Sequence, residues 1–466
     1  SDTFSIELVS VMSGDTMDLA LNTIGESYLD PDESQHFRIL IPERKLYAIS
    51  VSQGIDPSLT GIYFVKNNNV LLKTDDIGGK FDYLPADTGL MHISVSGMTG
   101  SDEGNFTVAA YEPEEIMLTD SIYDSLTIQK PFHLYRLKSG RSVKMTARFY
   151  MTDHSSGFNY MKLLSPSGSE IDKELVRLDE RLITFVLPPD SSYYLSIEGS
   201  SMNTFVLVVE KEDPVHIAYG DTIVESLSYE KDLDVYNFTG NKDDVISIKG
   251  TQPTYDLSGG LFKLWSEDGK EIARRKIDYY NNFNDYEIVY KLPADGKYSI
   301  IVSSTKNDTG TYQIVLNNII CETILPDEFL ALDVIPDKDY YFEMNFQESS
   351  LAYLSVLSDN GSGRYLIWDD SGKLMSELNN LSYYSNINPG NFIDNFDEGH
   401  YFVTVRNENS AKLFINLALP VPLVFDTKGR SLFQDQISQA HQVNVYQFIG
   451  EPGDGIHGIL KENEGV

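Results

Sequence analysis

Tyr290-Lys291-Leu292-Pro293-Ala294-Asp295-Gly296-Lys297-Tyr298-Ser299-Ile300-Ile301-Val302, followed after a polar loop by Gly310-Thr311-Tyr312-Gln313-Ile314-Val315-Leu316, decides how the chain is read. Tyr298, Ile300 and Val302 alternate with Ser299 and Ile301, the period of a pleated strand with one buried face. Tyr312, Ile314 and Leu316 repeat that period. Pro293, Asp295 and Gly296 form one turn signal, and Asn307, Asp308 and Gly310 form a second. The stretch recurs. Residues 83–95 run Tyr-Leu-Pro-Ala-Asp-Thr-Gly-Leu-Met-His-Ile-Ser-Val, and residues 185–197 run Phe-Val-Leu-Pro-Pro-Asp-Ser-Ser-Tyr-Tyr-Leu-Ser-Ile. Residues 392–405 keep the pattern without the proline.

Two aromatic series give the period. Phe4, Phe106, Phe205, Tyr312 and Phe414 mark a late strand; Phe37, Tyr135, Tyr236, Tyr341 and Tyr446 mark an early one. Each series advances by about one hundred residues, too long for a solenoid repeat and the size of a small domain. Between the series lie further short strands with turn signals such as Ser165-Pro166-Ser167-Gly168, Glu267-Asp268-Gly269 and Asp370-Ser371-Gly372. No segment has a convincing helical period. The fold class expected is therefore all-β, a tandem array of antiparallel, jelly-roll-like β-sandwiches. Residues 14–113, 114–212, 213–320 and 321–420 read as four repeats. Residues 1–13 read as the last strand of a preceding repeat, and 421–466 as the first part of an incomplete fifth. Broken repeats at both ends suggest an excerpt of a longer array. Strand donation between molecules is the alternative, but one donated strand does not replace all the strands the last repeat lacks. The linkers Glu112-Pro113-Glu114 and Glu212-Asp213-Pro214 are short and acidic, expected to stiffen the string and to discourage collapse of one repeat onto the next.

Composition narrows function. The chain has 466 residues, a net charge of −34 and 41% apolar residues. Such a charge argues against a nucleic-acid partner, which needs phosphate-neutralising Lys and Arg. No apolar run approaches the roughly 20 residues of a membrane-spanning helix. The single cysteine, Cys321, follows Ile319 and Ile320 and reads as a small apolar side chain at a repeat junction.

Residues 220–316 resemble the bacterial pre-peptidase C-terminal domain. The likeness is carried by Gly220-Asp221-Thr222-Ile223, Asp232-Leu233-Asp234-Val235-Tyr236-Asn237-Phe238, Asp244-Val245-Ile246-Ser247-Ile248, Leu292-Pro293-Ala294-Asp295-Gly296-Lys297-Tyr298 and Thr309-Gly310-Thr311-Tyr312. The first repeat resembles it less closely, and the second and fourth diverge. The resemblance implies a β-sandwich, secretion, and a non-catalytic accessory or structural role.

Candidate site residues are few. Asp30/Asp32, Asp232/Asp234 and Asp337/Asp339 each precede an early strand, where alternate carboxylates offer oxygens to calcium. Calcium takes six to eight oxygens, so a solvated turn stands beside that reading, and calcium is the one cofactor the sequence suggests. Asn307 and Asn360 stand in turns within Asn-x-Ser/Thr triplets and are candidate glycosylation sites. Trp265 and Trp368 occupy equivalent positions, as packing residues or as an aromatic platform. No hydrolase, zinc-protease or phosphate-loop motif occurs. The reading is a non-catalytic extracellular or cell-surface structural protein: a stalk, sheath, surface layer or filament. The accessory region of a secreted protease or other hydrolase is the alternative, and an adhesin a further one. Its partners would be copies of itself, neighbouring repeats of a longer chain, or an extracellular protein or polysaccharide.

Overall fold

The structure is a computed structural model. It describes residues 16–30, 34–53, 59–66, 69–70, 79–83, 88–97, 103–118, 121–127, 130, 132–152, 159–176, 181–199, 203–228, 232–251, 260–276, 285–304, 309–359, 363–379, 391–419, 421–423 and 446–448. Among these, every regular element is a β-strand.

Residues 114–212 show the plan. One sheet has five strands in the order Glu114–Glu115, Phe132–Lys138, Ser192–Gly199, Asn159–Leu164, Glu170–Val176. The other has four, in the order Ser121–Leu126, Asn203–Glu212, Val143–Met151, Arg181–Leu187. The first pair of the five-stranded sheet is parallel, and the other ladders are antiparallel. The same two strand orders recur over residues 16–111, 215–319 and 322–418. The fold is thus all-β, built of antiparallel sheets paired as sandwiches.

Alternation explains why these strands pair face to face. Val143, Met145, Ala147 and Phe149 point inward from one strand and meet Tyr135, Leu137, Leu195 and Ile197 of the facing sheet. A Val, Leu, Ile, Met or Phe side chain contributes about 1.5–3 kcal/mol when fully buried, and the methyl of Ala147 less. Phe37, Ile39 and Ile41 begin the core of residues 16–111, and Phe342, Met344 and Phe346 that of residues 322–418.

In the last sandwich the aromatic markers read from the sequence are one residue out. Glu322 pairs with Phe342, as Glu114 pairs with Tyr135 and Met17 with Phe37. Phe342 therefore takes the core position, and Tyr341 faces outward. Leu413 likewise takes the late-strand core position, while Phe414 lies against Phe329, ring centroids 6.0 Å apart. Three consecutive aromatics, Tyr340-Tyr341-Phe342, hide the alternation that would fix the register.

The chain divides into two compact units. The first is Ser1–Val215 with Tyr229–Tyr236 and Glu267–Gly269; the second is His216–Ser228, Asn237–Ser266 and Lys270–Val466.

Candidate functional site

The most elaborated chemistry lies where consecutive sandwiches meet. In the first unit, strands Tyr47–Gln53 and Gly104–Tyr111 turn Tyr47, Ile49, Val108 and Ala110 into their own core. Alternation puts Leu46, Ala48, Ala109 and Tyr111 on the other face. They are buried against Phe132, Leu134, Leu164 and Tyr194 of the next five-stranded sheet. Tyr111 meets Phe132 edge-on at 5.2 Å, and the Leu46 N–H donates to the Tyr194 hydroxyl at 3.1 Å.

Charges rim this apolar contact. Arg136 Nη1 donates to Glu43 Oε1 at 2.8 Å and to Glu115 Oε1 at 3.2 Å. Lys45 reaches Glu112 at 2.9 Å, and Lys130 reaches Glu114 at 2.9 Å. The Arg136 guanidinium holds the Glu43 carboxyl below its usual range. Glu114 is lowered to about 2, first by His133 and then, against the opposing effect of burial, by Lys130. The acidic linker therefore does not hold the sandwiches apart, as its charge suggests. Its carboxylates are paired with cations of the contact itself, Lys45 with Glu112 and Lys130 with Glu114.

The second unit holds a joint of the same construction. Val245 and Val289, on the outward face of one four-stranded sheet, bury against Leu366, Trp368 and Phe402 of the following five-stranded sheet. Asp339 accepts from Arg406 Nε at 2.7 Å and Nη2 at 2.9 Å, and also pairs with Lys249. The Tyr341 hydroxyl donates to Glu287 Oε1 at 2.8 Å, and Ser247 donates to the same oxygen. Burial, and then the Glu287 charge, push the Tyr341 hydroxyl well above its ordinary pKa. Glu343 pairs with both Lys291 and His400. Cys321 packs at the margin of this cluster, its thiol pushed up to about 12, chiefly by burial. A thiol so protonated is a poor nucleophile.

A hairpin tip completes each joint. Gly168 (φ 86°) lies on Leu46, where a Cβ would come within 2.7 Å of Leu46 Cδ1. Gly372 (φ 73°) lies on Ala273 and Tyr290, at 2.8 and 3.0 Å by the same measure. Both tips need glycine twice, for left-handed backbone and for close approach.

The sequence-derived candidates fall in different places. Asp232 and Asp234 lie in the first unit within reach of Lys144 Nζ, at 3.1 and 3.5 Å, with Glu212 at 3.2 Å. Lys144 and Asp232 are both buried. Asp339 is held by Lys249 and Arg406. At these two places an ammonium or a guanidinium supplies the positive charge beside the carboxylates. Asp337 is exposed in left-handed backbone, its N–H donating to the Asn407 carbonyl at 2.8 Å. Asp30 is exposed; Asp32, Asn307 and Asn360 lie outside the described residues. Among the described residues no three His, Cys, Asp or Glu side chains are grouped to hold a metal. Trp368 is fully buried in the joint, under the Arg275 guanidinium at 5.9 Å, whereas Trp265 is partly exposed.

The joints carry a sequence signal that alternation alone passes over. Tyr365-Leu366-Ile367-Trp368 is apolar at every position, as is Ile288-Val289-Tyr290. Such runs mark strands covered on both faces.

No family model matches the chain, and no curated protein matches it. Solved structures do show similarity. The pre-peptidase C-terminal domain of a collagenase from Bacillus anthracis is 26% identical, with 23% of this chain and 96% of that one covered and a TM-score of 0.20. Tripeptidyl peptidase 2 is 11% identical, with 84% and 33% covered and a TM-score of 0.18. The M60 catalytic domain with CBM51-1 and CBM51-2 domains of Clostridium perfringens ZmpB is 9% identical, with 79% and 55% covered and a TM-score of 0.16. Superpositions at these scores carry no functional argument for this chain.

Proposed function

We propose that this chain is a non-catalytic, extracellular structural array in which packed joints between sandwiches set spacing and stiffness. The observation that carries the reading is the joint itself. An apolar centre such as Val245, Val289, Leu366, Trp368 and Phe402, enclosed by Lys249–Asp339–Arg406 and Tyr341–Glu287, resists both sliding and rotation. Apolar burial supplies affinity without direction, and the charge pairs fix the register. A flexible tether would need neither.

Electron-microscope images of the full chain test this. The angle between the two sandwiches of the second unit should be fixed from particle to particle, and should broaden in Trp368→Ala. Free bending at that joint in the native chain would overturn the proposal. The resemblance of residues 220–316 to pre-peptidase C-terminal domains supports a second reading, an accessory region of a secreted hydrolase. Saturable retention of the chain on collagen or on an insoluble polysaccharide would favour it.

A further inference from the structure

We propose that the outward face of the four-stranded sheet in residues 322–418 is the seat of a further sandwich, opened by the strand pair Val421–Leu423 and Tyr446–Phe448. The inference rests on the joint geometry alone and does not depend on a structural role for the array.

Two independent observations lead to it. The first is register. Val421 pairs with Tyr446 and Leu423 with Phe448, in parallel. Met17 with Phe37, Glu114 with Tyr135, and Glu322 with Phe342 are the corresponding parallel pairs that open three of the five-stranded sheets. The other ladders described within those three sandwiches run antiparallel, so a parallel pair is a signature of an opening strand pair. It places Tyr446 where Phe37, Tyr135 and Phe342 stand.

The second is burial. Ala48 pairs with Tyr111, Ser247 with Asn317 and Tyr353 with Ala418, which makes Ala48, Ser247 and Tyr353 equivalent positions on outward faces. Ala48 and Ser247 are 0% exposed because a following sandwich covers them. Tyr353 is only 9% exposed and Ser355, two residues on, 1%. Asn416 and Ala418, on the adjoining strand, are buried as well. Leu354 and Val356 point into the sandwich's own core, so the neighbours that cover Tyr353 and Ser355 do not come from that core. The chain continues directly from Ala418 to the parallel pair, as it continues from Tyr111 to Glu114–Glu115 in the first joint. The seat is less charged than Lys249 makes the preceding one, with Ser355 at the position of Lys249.

Hydrogen exchange on the full chain tests the seat. In the native protein the amides of Val421, Leu423 and Tyr446–Phe448 should be protected. Ser355→Arg should speed their exchange about tenfold or more, while Leu354 and Val356, within their own ladders, stay slow. Unchanged exchange at 421–423 and 446–448 with Leu354 and Val356 still slow would overturn the assignment. Should Ser355→Arg open the sandwich itself, p-benzoylphenylalanine at position 353 decides. Photo-crosslinks into residues 421–466 are expected, and crosslinks to a second copy or elsewhere in the chain would overturn the proposal.

Discussion

Single residues bear unequal loads in this protein. Gly372 meets two demands, a left-handed backbone and a tip pressed onto Ala273 and Tyr290. Gly372→Ala should cost about 1–3 kcal/mol in urea denaturation, from backbone strain before any contact is counted. Lys144 is the cation beside buried Asp232. Lys144→Met removes the charge at similar length, and by analogy with broken buried pairs should cost about 3–5 kcal/mol. Glu114 predicts a pH effect. Its carboxyl is lowered from 4.5 to about 2, so it contributes stability that is fully present above about 4.5 and lost as pH falls towards 2. Its side chain is half exposed, so solvent screening keeps the effect small. Glu114→Gln should therefore flatten the acid limb of the stability profile over that window and leave stability less changed near pH 2.

At the scale of the strand, the joints explain which parts of the fold the sequence discloses. The turn signals around Pro293, Asp295 and Gly296, and the alternation of Tyr298, Ile300 and Val302, reveal strands, turns and the hundred-residue period directly, because one buried face imposes a period of two. Where both faces are buried, the period disappears. Trp368, Leu366 and Val289 then look like ordinary core, and their partners, a hundred residues away in some cases, leave no mark in local pattern. The charge partners are harder still to read. Asp339 and Asp337 look alike in the sequence, yet one sits between two cations and the other faces solvent. Trp368→Ala should cost about 3–5 kcal/mol by removing a fully buried indole. Because that indole lies outside the sandwich cores, the loss should appear as looser coupling of the two sandwiches, with core amides such as those of Val403 and Ile415 still slow to exchange.

Over the whole molecule, the opposing charges are unevenly spent. The excess of carboxylates covers the surface, while Arg136, Lys45, Lys249, Arg406 and Lys291 sit at contacts. Raising ionic strength should therefore act in two directions: it relieves general repulsion among carboxylates and weakens the partly exposed pairs at the joint rims. The first unit, whose joint is rimmed by the more exposed carboxylates Glu43 and Glu112, should lose more of its charge coupling in salt than the second, whose Lys249–Asp339–Arg406 group is largely buried. Separate exchange profiles for the two units at low and high salt would read this difference.

The unlike charges at the joints also constrain how such a protein changes by recombination. Arg136 pairs across its ladder with Glu115, and at the corresponding position Glu343 pairs with Thr323. Arg136 meets the carboxylate of Glu43, whereas Glu343 meets the ammonium of Lys291. Exchanging the sandwiches of residues 114–212 and 322–418 would bring Glu343 towards Glu43 and Arg136 towards Lys291. The folds would match and the contacts would repel. The order of the sandwiches is thus written into the protein as an address, and a shuffled chain of the same domains is a different molecule.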